Sequence, residues 1–427
     1  MLEGRNPFDA VYFTQRICGI CSTAHSIASS LALEDALGII VSQQGRYLRD
    51  VIHACEFLQN HIRHFYQYTL PDFIRLPEGN TLFETDHNDF RLPKTKNDLI
   101  VQHYFDSLEI SRNAHEMLAI LGGKAPHNHG VFIGGATTQA SRDNIESLKI
   151  ITYKIREFII GTMIPDANTI ADYYKDYFYN GRGYGNLLSY GCFDRYESLG
   201  TLYVNPLVYS NGSIRAFNPD KITENIHSSW YTAQSETSKQ FESVTEPDIN
   251  KPEAYSWVKA PRYEGLPFEV GPLARMWLCG GYRDGISTMD RTLARVLEAK
   301  KLTDIILTLL NNLIPGVDVQ KEYEIPQDAY GAGLTDTTRG ALGHWIKIEN
   351  GLISLYQIIT PSTWNLSSRG RDNLPGPCEE ALVGTFINDT DSPVELGRII
   401  RSFDPCVSCA THVYCKGNLV KTTKVVP

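Results

Sequence analysis

The chain has 427 residues, of which 42% are apolar and 21% charged, the balance of a folded globular protein rather than a disordered one. Forty Lys and Arg against 49 Asp and Glu give a formal charge of −9, which argues against sequence-independent nucleic-acid binding, a function that needs basic surface, though local basic patches are compatible with it. No apolar run reaches the length of a membrane span, and the opening Met-Leu-Glu-Gly-Arg-Asn-Pro is read as carrying no secretory signal of its own.

Helical periodicity dominates the first half. Residues Ser22 to Leu37 place Ala24, Ile27, Ala28 and Leu31 on one face, with Ser22 or Thr23 as a cap and Gly38 as a stop. A longer helix is predicted from Arg46 to Leu70, ended by Pro71, and another from Asp98 to Leu121, stopped by Gly122-Gly123. Ser141 to Phe178 is predicted helical with a break at Pro165, which lacks the N–H the ladder needs. Strand signals begin at Leu202 to Ile214, around the turn Asn211-Gly212. Thr288 to Leu313 is a further helix, stopped by Pro315-Gly316. The clearest hairpin is His344 to Thr360, where Asn350-Gly351 separates two β-branched and aromatic runs. A regular ladder counted outward from that turn sets Arg339 opposite Ser362. The fold class expected is mainly α with small β elements (α+β). Residues 1–412 are read as one large domain and 413–427 as a tail; any boundary would lie in the Tyr-rich stretch 180–267.

Nine cysteines in a chain of this length are too few for a disulfide scaffold. Four of them form two Cys-x-x-Cys pairs at opposite ends. Arg16-Ile17-Cys18-Gly19-Ile20-Cys21 is followed by His25, and Asp404-Pro405-Cys406-Val407-Ser408-Cys409 by His412. Two intervening residues let both sulfurs of a pair turn toward one metal or metal pair. Spacing leaves three readings open: a long-range thiolate metal site, a structural zinc site, or unrelated thiols. Four thiolates suit zinc, iron–sulfur chemistry or nickel alike. Cys55, Cys192, Cys279, Cys378 and Cys415 have no motif partners and read mostly as small buried side chains.

Arg-x-Cys-Gly-x-Cys-x-x-x-His at the start, paired with Asp-Pro-Cys-x-x-Cys-x-x-His at the end, resembles the catalytic large subunit of nickel–iron hydrogenases. Gly122 to His127, Thr338 to Trp345 and Pro361 to Asn365 agree with it, so the resemblance runs from about Tyr12 to His412. It implies the helical core of that family and reversible heterolytic cleavage of hydrogen. It implies Cys18 and Cys406 as terminal nickel ligands, with Cys21 and Cys409 bridging nickel and iron. The iron would carry carbon monoxide and two cyanides. His25 would stand close to the bridging thiolates, and His412 would bind magnesium. Arg339, Ser362 and the segment from Pro361 would surround the diatomic ligands, with Asp404 fixing Arg339. Asn60 stands where many members place an aspartate near that arginine, so Asp404 is expected to be the arginine's main carboxylate partner.

The resemblance further implies a partner small subunit carrying iron–sulfur clusters, nickel-insertion maturation factors, and an endopeptidase that removes the tail after His412. Members usually have a β-rich segment before the part matching Leu2-Glu3-Gly4-Arg5, carrying glutamates for proton transfer and magnesium; Met1 is read as an internal methionine. The pattern is most similar to membrane-associated uptake hydrogenases. That points to the periplasmic side, through export on the partner and with a possible membrane electron acceptor; a cytoplasmic location is the alternative. The rival function is a non-catalytic or truncated relative. Related respiratory-complex subunits have lost the cysteine motifs, whereas this chain keeps all four thiols.

Overall fold

The structure is a computed structural model. It describes the backbone outside residues 78–86, 233–236, 243–244, 320–322, 407–408, 416–417 and 426–427, and side chains outside those and outside 237–238, 409–415 and 418–425.

Helix α1 (Ser22–Leu37) ends as the sequence predicts, with Gly38 in the left-handed conformation at φ +65°. Its N-cap is Cys21 rather than Ser22 or Thr23. Helix α2 (Gln43–Arg63) starts three residues before the predicted Arg46, because Ser42 caps it by accepting from the Gly45 N–H. Instead of running on to Leu70 as regular helix, it widens into a π-turn over His64–Thr69 and closes in a 3-10 turn at Leu70–Asp72. Such π-turns gather at functional sites, and this one lies just after Asn60. Helix α3 (Lys94–Gly122) ends at Gly123. The predicted break at Pro165 is a π-turn over Ile159–Met163 between α4 (Arg142–Phe158) and α5 (Ile164–Tyr173), with Pro165 in the first turn of α5, where no N–H is required. Helices α6 (Pro272–Leu278) and α7 (Thr288–Asn312) follow. The largest apolar cluster joins α2, α3, α4 and α7 through Val51, Phe57, Leu118, Leu148 and Leu302.

The main sheet has the order β1 (Ala329–Thr337), β2 (Gly340–Glu349), β3 (Leu352–Ile359), all antiparallel. Asn350 and Gly351 both have positive φ, as the tight hairpin turn demands. The expected register holds only for Ile348 with Ile353 and Glu349 with Leu352. A bulge then slips the ladder by one residue, and β3 ends at Ile359. Arg339 and Ser362 are therefore not a ladder pair: Arg339 sits in the two-residue turn between β1 and β2, and Ser362 in a short helix, α8 (Pro361–Asn365). The Asn211-Gly212 turn is present, but its strands are shorter than predicted, Leu207–Ser210 and Ser213–Ala216.

Strand β1 was not legible from the sequence. Its Tyr-Gly-Ala-Gly run is poor in β-formers, yet the glycines are what seat it. A Cβ on Gly333 would stand 2.0 Å from the Ala28 carbonyl oxygen, and one on Gly331 2.3 Å from that of Ala32. The sheet thus rests directly on the backbone of α1, along its alanine face, with Ala28 and Ala32 fully buried. Gly333→Val should destabilise the protein by at least about 1–3 kcal/mol through overpacking. Because Cys21 caps the start of α1, retention of the metal that the Cys-x-x-Cys motifs imply should fall with it. Thermal unfolding and elemental analysis of the variant check this together.

Helix α9 (Val394–Ser402) leads into Asp404 and Cys406. Beyond it, β4 (Cys409–Cys415) pairs with β5 (Asn418–Val425), so that His412 stands opposite Thr422. The side chains of Cys409 and His412 lie outside the described residues.

Candidate metal centre

Three of the motif cysteines converge although they come from opposite ends of the chain. The Sγ atoms of Cys18, Cys21 and Cys406 all lie within 4.8 Å of one another. Cys18 and Cys21 are buried and Cys406 is partly buried. With metal–sulfur bonds near 2.3 Å, that span is what one soft ion requires of its thiolates. The backbone prepares the site. The N–H groups of Ile20 and Cys21 both donate to Cys18 Sγ at 3.3 Å, and the Cys406 N–H donates to Ser362 Oγ at 3.2 Å. Pro361, buried at the first turn of α8, fixes that helix start. The Gly122 to His127 segment docks on the same corner, where the His127 N–H donates to Ser22 Oγ at 3.0 Å.

Arg339 is 2% exposed. Its Nε donates to the Asp404 carbonyl at 2.8 Å and to Oδ1 at 3.0 Å, and its Nη2 lies 2.9 Å from Oδ1. Nη1 is buried with no partner among the described residues. An arginine anchored by two nitrogens with the third free is a donor held ready for an acceptor on a bound group. Asp404 takes the left-handed backbone conformation, φ +56°, at the end of α9, one that aspartate tolerates better than most residues. Its second oxygen accepts from Arg295 at 2.9 Å and from the Asn60 amide at 2.8 Å. Burial alone would raise the Asp404 carboxyl, but Arg339, His64, Arg295 and Asn60 outweigh it and hold the group far below the usual carboxylate range. Asn60 also reaches Arg339 through Oδ1, at 3.4 Å from Nη2. Among the described residues Asp404 is the one carboxylate in ion-pair contact with Arg339.

His25 is 1% exposed. Its backbone N–H donates to the Cys21 carbonyl at 3.3 Å. Its ring pairs with His344 (Nδ1 to Nε2, 3.1 Å), which in turn meets the Tyr356 hydroxyl at 2.9 Å. Burial keeps the His25 imidazole neutral, lowering its pKa to about 4 against the opposing charge of Cys18.

Several residues of this neighbourhood escaped the sequence reading. Arg291, Arg295 and Glu298 lie at helical spacing along α7 and are all buried. Arg295 links Asp404 to His61 (3.2 Å), and His61 lies 2.5 Å from Glu298. Glu298 is also held by Arg275 of α6 at 2.6 and 2.8 Å. The available signal was three charges at i, i+4 and i+7 on one face of an otherwise apolar-faced helix, a pattern that solvent-facing stripes share.

A buried cluster of cysteine sulfurs, drawn from both termini and backed by an arginine with a free nitrogen, defines a metalloprotein with a soft-donor centre. The chain belongs to the nickel-dependent hydrogenase family, whose model matches residues 1–82, 77–283 and 280–412. It is 34% identical to the periplasmic nickel–iron–selenium hydrogenase large subunit of Desulfomicrobium baculatum, over 97% of this chain and 87% of that protein. It is 29% identical to the hydrogenase-2 large chain of Escherichia coli K12, over 100% and 92%. Among solved structures, it matches the nickel–iron–selenium hydrogenase of D. vulgaris Hildenborough in the reduced state at a TM-score of 0.90 and 36% identity, covering 95% of this chain and 90% of that one. All four motif positions of this chain are cysteine. Family membership resolves the choice left open by the thiol spacing in favour of nickel and iron, and it favours an enzyme cleaving molecular hydrogen over a non-catalytic relative. The α+β, mainly helical fold expected from the sequence agrees with these neighbours.

Proposed function

We propose that the chain cleaves hydrogen reversibly and heterolytically at a nickel–iron pair held by Cys18, Cys21, Cys406 and Cys409, with Cys18 and Cys406 on nickel alone and Cys21 and Cys409 shared with iron. The observation that carries this is the convergence of three of the sulfurs within 4.8 Å at a buried site. The metal pair supplies the binding and polarisation of hydrogen, while the protein positions and tunes it. Around it, Arg339 offers its free Nη1 as a fixed cationic donor, Asp404 keeps that guanidinium in place, and Ser362 and Pro361 shape the wall next to Cys406. His25, neutral and buried, orients through His344. In this reading the iron carries one carbon monoxide and two cyanides, with Arg339 and Ser362 beside them. Magnesium at His412 is a reading supported by the C-terminal motif alone.

The electrons require a carrier, and an iron–sulfur small subunit fits. Arg16, Ile17 and Gly19, next to Cys18, are exposed, Ile17 by 53%. A partner seated there would cover an apolar side chain beside the centre. In the same reading residues 1–412 form the working domain, and 413–427 are a tail removed by an endopeptidase after nickel-insertion factors have acted. The named periplasmic relative supports an extracytoplasmic location; export on the partner and a membrane electron acceptor belong to the same proposal. No helix among the described residues is long and apolar enough to cross a membrane.

The test is an infrared spectrum of the protein purified from its own host with its partner. Two cyanide bands and one carbonyl band are expected in a region where protein absorbs little. Their absence from tail-cleaved, nickel-loaded protein would overturn the proposed iron ligands.

A further inference from the structure

Glu56, on α2, is buried to 2% exposure, and nothing in the hydrogenase reading uses it. Its carboxylate faces the start of α1. Oε1 accepts from the Thr23 N–H at 2.6 Å, and Oε2 from the Ala24 N–H at 3.0 Å. No Lys, Arg or His among the described residues forms an ion pair with it, so these hydrogen bonds at the helix start are its compensation for leaving water. Burial raises its pKa to about 8, and the N–H groups of Thr23 and Ala24, together with the Thr23 side chain, oppose the rise.

Four N–H groups of this turn are divided between two acceptors. Those of Ile20 and Cys21 serve the Cys18 sulfur, and those of Thr23 and Ala24 serve Glu56. Helix termini leave such donors without intrahelical partners. A carboxylate that takes the pair inside the helix leaves the pair before it aimed at the thiolate. The clamp is braced from the other side. Thr23 Oγ1 accepts from the Asn128 amide at 2.9 Å, and the Asn128 carbonyl accepts from Gln15 at 3.0 Å, one turn before Cys18.

We infer that Glu56 is a positioning residue of the metal centre: its two carboxyl oxygens grip the first turn of α1 and so fix the direction in which Cys18 and Cys21 present their sulfurs. This rests on the reading that those sulfurs hold nickel. A bidentate acceptor cannot be replaced by its amide without loss, since Gln turns an NH2 group toward one of the two N–H donors.

The experiment compares wild type, E56Q and E56A as nickel-loaded complexes with the partner subunit. Nickel content, nickel electron paramagnetic resonance g-values, hydrogen uptake and thermal midpoint are read on each. For E56Q the expected result is displaced g-values and uptake lower by about tenfold, the range seen for outer-shell partners of metal ligands, at unchanged nickel content; E56A should show the larger displacement. Wild-type g-values and uptake within twofold in E56Q would overturn the inference. So would losses that follow the thermal midpoint with g-values unmoved, which would make Glu56 a general fold residue. A wild-type complex with no nickel signal would overturn the parent reading instead.

Discussion

Cys406→Ser is expected to remove nickel and hydrogen turnover together. Cys406 Sγ lies 3.1 Å from Cys18 Sγ, and its backbone N–H is tied to Ser362, so the side chain is already aimed at its partners. Serine preserves the size and the backbone bond but supplies a hard oxygen that stays protonated at neutral pH. Nickel selects soft thiolates, and the ligand must be the deprotonated form. The loss should exceed the roughly 10–100-fold that removal of an outer-shell partner costs. Elemental analysis and dye-linked hydrogen uptake on the purified complex check it. Full nickel content with uptake within about tenfold of wild type would show that Cys406 is not a ligand. Cys18→Ser should behave in the same way, because its sulfur lies 3.1 Å from that of Cys406 in the same cluster.

Asp404→Asn is the second large effect, and its partner substitution makes it diagnostic. The Asp404 carboxylate joins Arg339 and Arg295, both 2% exposed, and accepts the Asn60 amide. An amide at 404 would remove the carboxylate that is in ion-pair contact with both buried guanidinium groups. Breaking a buried pair in this way costs about 3–5 kcal/mol. The thermal midpoint and the uptake rate should both drop. Asn60→Asp alone should also destabilise, because it sets a second carboxylate at the 2.8 Å position now held by a hydrogen bond to Asp404. Combined, D404N and N60D restore one negative charge beside Arg339, which Asn60 Oδ1 already approaches at 3.4 Å. Recovery of most of the lost stability and uptake in the double variant is expected. A double variant no better than D404N would mean that the carboxylate must stand at position 404, where it reaches Arg339 and Arg295 together, and not merely beside Arg339.

Much of the candidate site was legible in one dimension because its chemistry is local in sequence. A Cys-x-x-Cys pair carries its own geometry, so both pairs stood out as candidate metal ligands from spacing, and the family resemblance chose among the readings that spacing left open. The Asp404–Arg339 pairing was also expected, through the family resemblance, and the structure brings the two side chains together. Periodicity placed α1, α3 and α7 to within a few residues, since each buries one face against the core. The register of β2 and β3 was missed because a bulge after Lys347 depends on packing, and no turn rule encodes it. His344, Arg295, His61 and Glu56 were missed for a related reason. A polar residue on a helix or strand shows nothing in the sequence about what stands opposite it.

By itself, the sequence determined the four thiols, their pairing at the two ends and the helical periods that lead away from them, because these depend on residue type and short spacing. Only the tertiary structure decided that the two ends meet. The glycines of β1 let a strand lie on the backbone of α1, and that contact brings the Arg339 turn and the start of α8 to the same corner as Cys18. The division of backbone donors between a sulfur and Glu56 likewise exists only once α1 and α2 have packed, because hydrogen bonds between distant segments are set by how the segments are brought together.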